Sequence, residues 1–244
     1  MTGIRVVVAG ATGRTGSAVA RRLDEAEEVE LVGAVAPHHA GDRLGRWIGT
    51  GSDVVIDGSL QDFLQRQRAD VLVDFTLPAV AGANMLAAVE AGVRPVVGTT
   101  GIPDEQLRHV IKRAGELGLG AVIVPNFSFG VLLMARFARL AAPLFPQVEI
   151  IEEHHQTKID VPSGTAIHLA ESLQAAGARA PVPIHSVRLP GMVAKHSLIF
   201  GGDGETLTVT HDSVSRESFA AGVLMAVRAV MRLDHGVTGL EEIL

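Results

Sequence analysis

Residues 152–166 read Glu-Glu-His-His-Gln-Thr-Lys-Ile-Asp-Val-Pro-Ser-Gly-Thr-Ala and hold the chain's densest set of chemically able side chains. A histidine with an unperturbed pKa of about 6.5 suits proton transfer near neutral pH. A lysine adds a compact cation that can hold a carboxylate or give up a proton. Ser163-Gly164-Thr165 stands at the head of an apolar pattern at Ile167, Leu169, Ala170 and Leu173, which predicts a helix from about Gly164 to Ala176. Ser163 is placed as its N-cap, and Pro162 stops whatever precedes it. The N–H groups of Gly164 and Thr165, with the Thr165 hydroxyl, then face outward at a positive helix end, which is a carboxylate site. Proton transfer, cation and helix end together fit a small acid that must be held and protonated.

For His154, His155 and Lys158 the residues alone leave three readings. A metal site is one, but the next histidines, His168 and His185, stand at no familiar ligand spacing, so no metal is expected. Exposed polar groups at a strand-to-loop junction are the second. Acid–base work or anion binding is the third, and the one adopted. Val148–Ile151 reads as a strand leading in, and neighbours on a strand face opposite ways, so the two histidines should not act alike.

The elements that must position this stretch divide the chain in two. Ile4–Ala9 is a continuous apolar run, as in a strand buried on both faces. Gly10-Ala-Thr-Gly13-Arg-Thr-Gly16 follows, then helical spacing to about Glu27 and a second strand at Leu31–Val35. Strand, glycine turn, helix, strand is the opening of a dinucleotide-binding unit, with a plain tight turn as the alternative. Strands are further expected at Val54–Ile56, Val71–Phe75, Pro95–Val97 and Ala121–Val124, and helices at Leu60–Gln67, Ala79–Ala91 and Asp104–Leu117. That alternation predicts a Rossmann-type α/β domain whose ligands collect at the carboxyl ends of parallel strands. The residues expected at the cofactor are Gly10, Ala11, Thr12, Gly13, Arg14, Thr15, Gly98, Thr99, Thr100, Pro125, Asn126 and Phe127. An acid after the second strand holds the ribose of NAD. Here Val35-Ala36-Pro37-His38-His39 has none. NADPH is therefore favoured over NADH, with Arg14, His38 or His39 able to meet the 2′-phosphate unless 36–46 is only a solvated loop.

After an apolar helix from Gly130 to about Phe145, strands are expected at His185–Leu189, Lys195–Phe200 and Thr206–His211. This half is read as an α+β domain with a mainly antiparallel sheet. A last helix with Phe219, Val223, Val227 and Val230 returns to the first domain. The expected boundaries are 1–127 with 215–244 for dinucleotide binding, and 128–214 for substrate binding and oligomerisation.

Bulk composition agrees with a well-buried globular protein. Hydrophobic content of 47% supports a sizeable core, and aromatics at 4% leave it to Val, Leu, Ile and Ala. The net charge of −6 argues against nucleic acid as a partner. No apolar run reaches the roughly 18–20 residues of a membrane span, and Arg5 interrupts the first run, so neither membrane nor signal peptide is expected. There are no cysteines, which fits a reducing, cytoplasmic setting and removes thiol nucleophiles such as that of semialdehyde dehydrogenases.

Glu152-Glu-His-His-Gln-Thr-Lys158-Ile-Asp160-Val-Pro-Ser-Gly-Thr-Ala166 resembles the signature E-x-H-H-x-x-K-x-D-x-P-S-G-T-A of bacterial dihydrodipicolinate reductases. Val8–Gly16, Val73–Thr76, Gly98–Gly101, Asn126–Ser128, and His211 with Arg216 and Phe219–Gly222 are similar to that family's other landmarks. The resemblance implies reduction of 4-hydroxy-tetrahydrodipicolinate with NADPH or NADH, on the route to diaminopimelate and lysine. It implies His154 as the acid–base histidine and Lys158 as the proton donor. It implies His155, Ser163, Gly164 and Thr165 as holders of a dicarboxylate substrate, and a homotetramer. The chain departs from the pattern at Ala36-Pro37, where the family usually carries an acid. It departs again at Gly191–His196, which lacks the second glycine of Gly-x-x-x-Gly-x-His.

Overall fold

The structure is a computed structural model that describes residues 3–244, so residues 1 and 2 of the expected first domain lie outside the described residues. The chain forms two compact units. One ends at Phe127 and resumes over Phe219–Leu244, and the other is Ser128–Ser218.

In the first unit the elements are β1 (Ile4–Ala9), α1 (Arg14–Asp24), β2 (Val29–Val35), the short α2 (Gly45–Ile48), β3 (Ile56–Asp57), α3 (Leu60–Arg66), β4 (Val71–Asp74), α4 (Pro78–Glu90), β5 (Arg94–Val97), α5 (Asp104–Glu116) and β6 (Ala121–Ile123). They form a seven-stranded sheet whose every pairing is parallel, closed at its edge by a C-terminal strand, Gly236–Thr238, beside β6. Val6, Val7 and Val8, like Val71–Val73, are fully buried, because helices cover both faces. Strand order reverses at β1, which pairs β2 on one side and β4 on the other. The expected strand Val54–Ile56 falls instead at Ile56–Asp57. Those residues pair with Ala34 and Val35, while Val55 is drawn into an antiparallel bridge with Arg43.

The second unit runs α6 (Phe129–Ala141), β7 (Gln147–His154), α7 (Gly164–Ala175), β8 (Ile184–Arg188), β9 (Ala194–Gly202) and β10 (Glu205–Ser213). The chain returns to the first unit as α8 (Ala220–Val230), and Gly236–Thr238 is β11. The sheet order is β10-β9-β7-β8. Its β10–β9 and β9–β7 pairings are antiparallel as expected, but β8 lies parallel to β7. The reason is the connection: α7 intervenes, and a crossover helix returns the chain in the same direction. Val148, Ile150, Leu198 and Phe200 on one sheet face pack with Leu169, Leu173, Met134 and Ala138 of the helices.

Candidate functional site

Because β1, β5 and β6 are parallel, Gly10–Thr15, Gly98–Thr100 and Pro125–Phe127 follow the same edge of the first sheet. Gly10 has φ +77°, and a Cβ there would lie 2.6 Å from the Phe75 carbonyl oxygen. A Cβ on Gly16 would lie 2.0 Å from the carbonyl oxygen of Gly10. Helix α1 therefore starts hard against the turn, with Gly13 as an N-cap that offers no side chain. Thr12 and Thr15 are half-buried and Ala11 is buried, whereas Arg14 is exposed. A cleft of about 370 Å³ opens beside this turn, lined by Gly10, Val35, Pro37, Thr76 and Asn84 among others. A glycine turn, an uncapped helix N-terminus and a cleft at the strand reversal fit a dinucleotide.

The sequence reading missed the group that braces this edge. Asp74, fully buried at the end of β4, accepts from the Thr76 N–H at 2.8 Å, the Thr76 hydroxyl at 2.6 Å and Asn84 Nδ2 at 2.8 Å. The Thr99 hydroxyl donates towards Asp74 at 3.3 Å and the Thr76 carbonyl at 3.1 Å. One carboxylate thus ties the loops after β4 and β5 to α4. Gly98 leaves room for the Phe75 ring, which a Cβ would meet at 2.2 Å, and that ring lies 5.8 Å from Phe127. Thr100 and Pro125 are exposed, and Asn126 is half-buried. His38 is exposed in the 3₁₀ turn after β2, while the His39 ring lies tilted against Trp47, centroids 3.9 Å apart, and faces Asp42 at 3.8 Å.

In the second unit, period-two alternation places Val148, Ile150, Glu152 and His154 of β7 on the helix-covered face. His154, the last strand residue, is 7% exposed. Its Nδ1 donates to the Glu152 carboxylate two residues back, which is completely buried. Arg188, the register partner of His154 on β8, grips that carboxylate with two N–H groups at 2.9 and 2.7 Å. The Ser163 N–H donates to the same carboxylate at 3.3 Å. His155 lies past the strand end and bonds the Thr157 hydroxyl at 2.8 Å. Lys158 Nζ donates to both oxygens of Asp160 at 2.7 Å, and the Gly164 N–H also serves that carboxylate.

Ser163 is the N-cap of α7, its hydroxyl accepting from Ala166 N–H at 3.2 Å. The same hydroxyl lies 3.2 Å from Nε2 of His196, whose ring stands edge-on to His154 at 5.3 Å. Ser163 is 1% exposed, so its polar groups work inside the protein, whereas Gly164 is open, with nothing within 4 Å of a Cβ built there. Glu152, Arg188 and His196 escaped the sequence reading. Glu152 was legible, since Glu-x-His on a strand shares a face. Arg188 and His196 arrive through sheet register that no local spacing displays.

Burial pushes the His154 pKa down, the Glu152 carboxylate pulls it back up, and Lys158 and Arg188 push down again, leaving it below the ordinary histidine value. Burial alone would raise Glu152, but hydrogen bonds from Arg188 and His154 hold it below the usual carboxylate range. Burial and the neighbouring His154 take His196 down to about 3, so it is neutral, and its buried Nδ1 has no partner among the described residues. With Glu152 ionised, neutral His154 keeps its proton on Nδ1 and turns the Nε2 lone pair outward. Asp160 is also held low: burial opposes this, but the Lys158 hydrogen bond prevails. Among the described residues no cluster of three or more ligating side chains could hold a metal ion, and no helix is long and apolar enough to cross a membrane.

Comparison with known proteins covers both units. The family model described as dihydrodipicolinate reductase, N-terminus, matches residues 4–127, and that described as dihydrodipicolinate reductase, C-terminus, matches residues 130–244. A 4-hydroxy-tetrahydrodipicolinate reductase of Halalkalibacterium halodurans is 43% identical over 262 residues, covering 99% of this chain and 99% of the relative. One from Bacillus licheniformis is 40% identical over 261 residues, covering 99% and 98%. The solved structure of dipicolinate-bound dihydrodipicolinate reductase from Paenisporosarcina sp. TG-14 is 35% identical, with a TM-score of 0.84 over 100% of both chains. An amine dehydrogenase of Mycobacterium smegmatis, at 14% identity and a TM-score of 0.74, shares the fold alone. With both halves matched and full-length relatives at 40% identity and above, the chain belongs to the dihydrodipicolinate reductase family.

Proposed function

We propose that this chain reduces 4-hydroxy-tetrahydrodipicolinate to tetrahydrodipicolinate with a nicotinamide cofactor, the 4-hydroxyl group leaving as water, a step on the route to diaminopimelate and lysine. The observation that carries the proposal is the convergence of His154, Lys158 and the N-terminus of α7 in the half matched by the C-terminal family model. In this reading the first unit is the dinucleotide-binding domain, and the second binds substrate and mediates assembly.

The residues divide the work by chemistry. Asp160 already places a carboxylate against Lys158 and the Gly164 N–H, so an oxygen acid suits these donors. One substrate carboxylate is taken by the N–H groups of Gly164 and Thr165 and the Thr165 hydroxyl, with Ser163 holding that helix end as its cap. The second is met by the His155 and Lys158 side chains. When bound, reduced nicotinamide supplies the hydride. Lys158 stabilises the negative charge that develops in the ring and gives the proton, with His154 as its acid–base partner. Gly10–Thr15 hold the pyrophosphate, while Gly98–Thr100 and Pro125–Phe127 hold the nicotinamide end.

NADPH is the preferred cofactor, because no carboxylate follows β2 before Asp42, and Asp42 is engaged with Trp47 Nε1 at 3.3 Å. The enzyme is a cytoplasmic homotetramer assembled through the open face of the second sheet. That face carries half-buried Ile151, Val187 and Ile199 among the Glu149–His185 and Glu153–Lys195 pairs. The test is oxidation of NADPH and NADH with substrate generated in situ. Turnover with NADPH at the lower KM is expected, and no turnover with either cofactor would refute the activity. A monomeric mass by light scattering would remove the assembly.

A further inference from the structure

The buried carboxylate of Glu152 is unexplained by substrate or cofactor binding, yet it accepts four hydrogen bonds. One oxygen receives His154 Nδ1 and Arg188 Nη1, and the other receives Arg188 Nη2 and the Ser163 N–H. It is completely enclosed. A buried carboxylate with a two-pronged arginine is costly to keep unless its remaining lone pairs are used. Here they are used on two parts of the site at once.

We propose that Glu152 is a positioning residue for the reaction, fixing His154 in the tautomer that leaves Nε2 free and fixing the first turn of α7 beside it. Arg188 is its counter-charge. Arg188 also donates to the Asp160 carbonyl oxygen at 2.8 Å, so the loop carrying Lys158 is anchored to the same ion pair. A single network therefore sets the spacing between the proton-transfer histidine, the lysine and the carboxylate-binding helix end. This inference rests on the acid–base role proposed for His154, and its test separates the two.

The charged and titratable groups facing His154 are Glu152 on its own strand, Arg188 from β8, His196 from β9 and Lys158 from the loop. Of these only Glu152 favours the protonated ring. The experiment is two-bond ¹H–¹⁵N correlation on the full-length enzyme, which reads the tautomer and titration of His154, together with pH profiles of kcat. In the wild type, neutral His154 should be protonated at Nδ1; a ring protonated at Nε2 overturns the proposal without any variant. In Glu152→Gln the His154 midpoint and its limb of the kcat profile should move to lower pH. In that variant kcat should fall at least tenfold, with unchanged cofactor Kd. Because that change strands Arg188, the double variant Glu152→Gln/Arg188→Met, which removes both charges, is measured beside it and should show a smaller shift in the same direction, since Arg188 opposes Glu152 at the ring. An unmoved His154 midpoint in either folded variant refutes the proposal. The separate variant His154→Gln tests the underlying reading: if it keeps full kcat, the acid–base role fails, while the tautomer measurement still decides what Glu152 does.

Discussion

Lys158 donates to both oxygens of Asp160 at 2.7 Å, from a side chain with a quarter or less of its surface exposed. Lys158 belongs to the second unit, whereas the glycine turn belongs to the first. Lys158→Ala is accordingly expected to lower kcat by roughly 10²–10⁴-fold, the range of a lost proton-transfer group. NADPH affinity, followed by fluorescence titration, should stay unchanged. A collapse of cofactor affinity would contradict the role given to this lysine. The sequence alone could name the two histidines and the lysine, because their types and the helix signal at Ser163 are local. It could not tell His154 from His155. That difference comes from where β7 ends: His154 is the last paired residue and is sealed against Glu152, while His155 is already outside the ladder.

Two glycines at helix starts give opposite expectations at the level of the element. In α1, a methyl on Gly16 would sit 2.0 Å from the Gly10 carbonyl oxygen, and neither backbone can yield without moving the turn. Gly16→Ala should destabilise the protein by about 1–3 kcal/mol, as overpacking does. It should also weaken cofactor binding at least tenfold, read by Tm and by titration. Unaltered affinity would mean that the turn is not a cofactor cradle. In α7, a Cβ on Gly164 meets nothing within 4 Å. Gly164→Ala should leave Tm unchanged and raise substrate KM, since the methyl intrudes only where the proposed substrate carboxylate would sit. The long elements were legible because apolar period and glycine punctuation specify them. The parallel lie of β8 within the mainly antiparallel sheet was not legible, since strand direction depends on the crossover through α7 rather than on the strand's own residues. The two short pieces α2 and β11 were not foreseen, because four and three residues carry too little pattern and exist through tertiary pairing.

On the scale of the whole molecule, acid sensitivity is concentrated in the second unit. Burial lowers the pKa of His154, His196 and His211 alike, all of them in Ser128–Ser218. A base buried in its neutral form binds fewer protons folded than unfolded. Stability from such a group is fully present above the unfolded value of about 6.5 and is lost as pH falls toward the folded value. For His196, whose folded value is about 3, the loss spans that whole window. Between pH 7 and pH 5 it amounts to about 2 kcal/mol from this residue alone. Glu152 and Asp160, both held low, add a second loss that begins only in the carboxylate range. Urea denaturation at pH 7, 6 and 5 should show this decline, and His196→Asn should make it shallower. Hydrogen exchange at pH 5 should place the loosened amides in β7, β9 and α7, with the parallel sheet of the first unit still protected. Equal stability at pH 7 and pH 5, or first exchange in the parallel sheet, would mean that His196 is not held neutral in the folded enzyme.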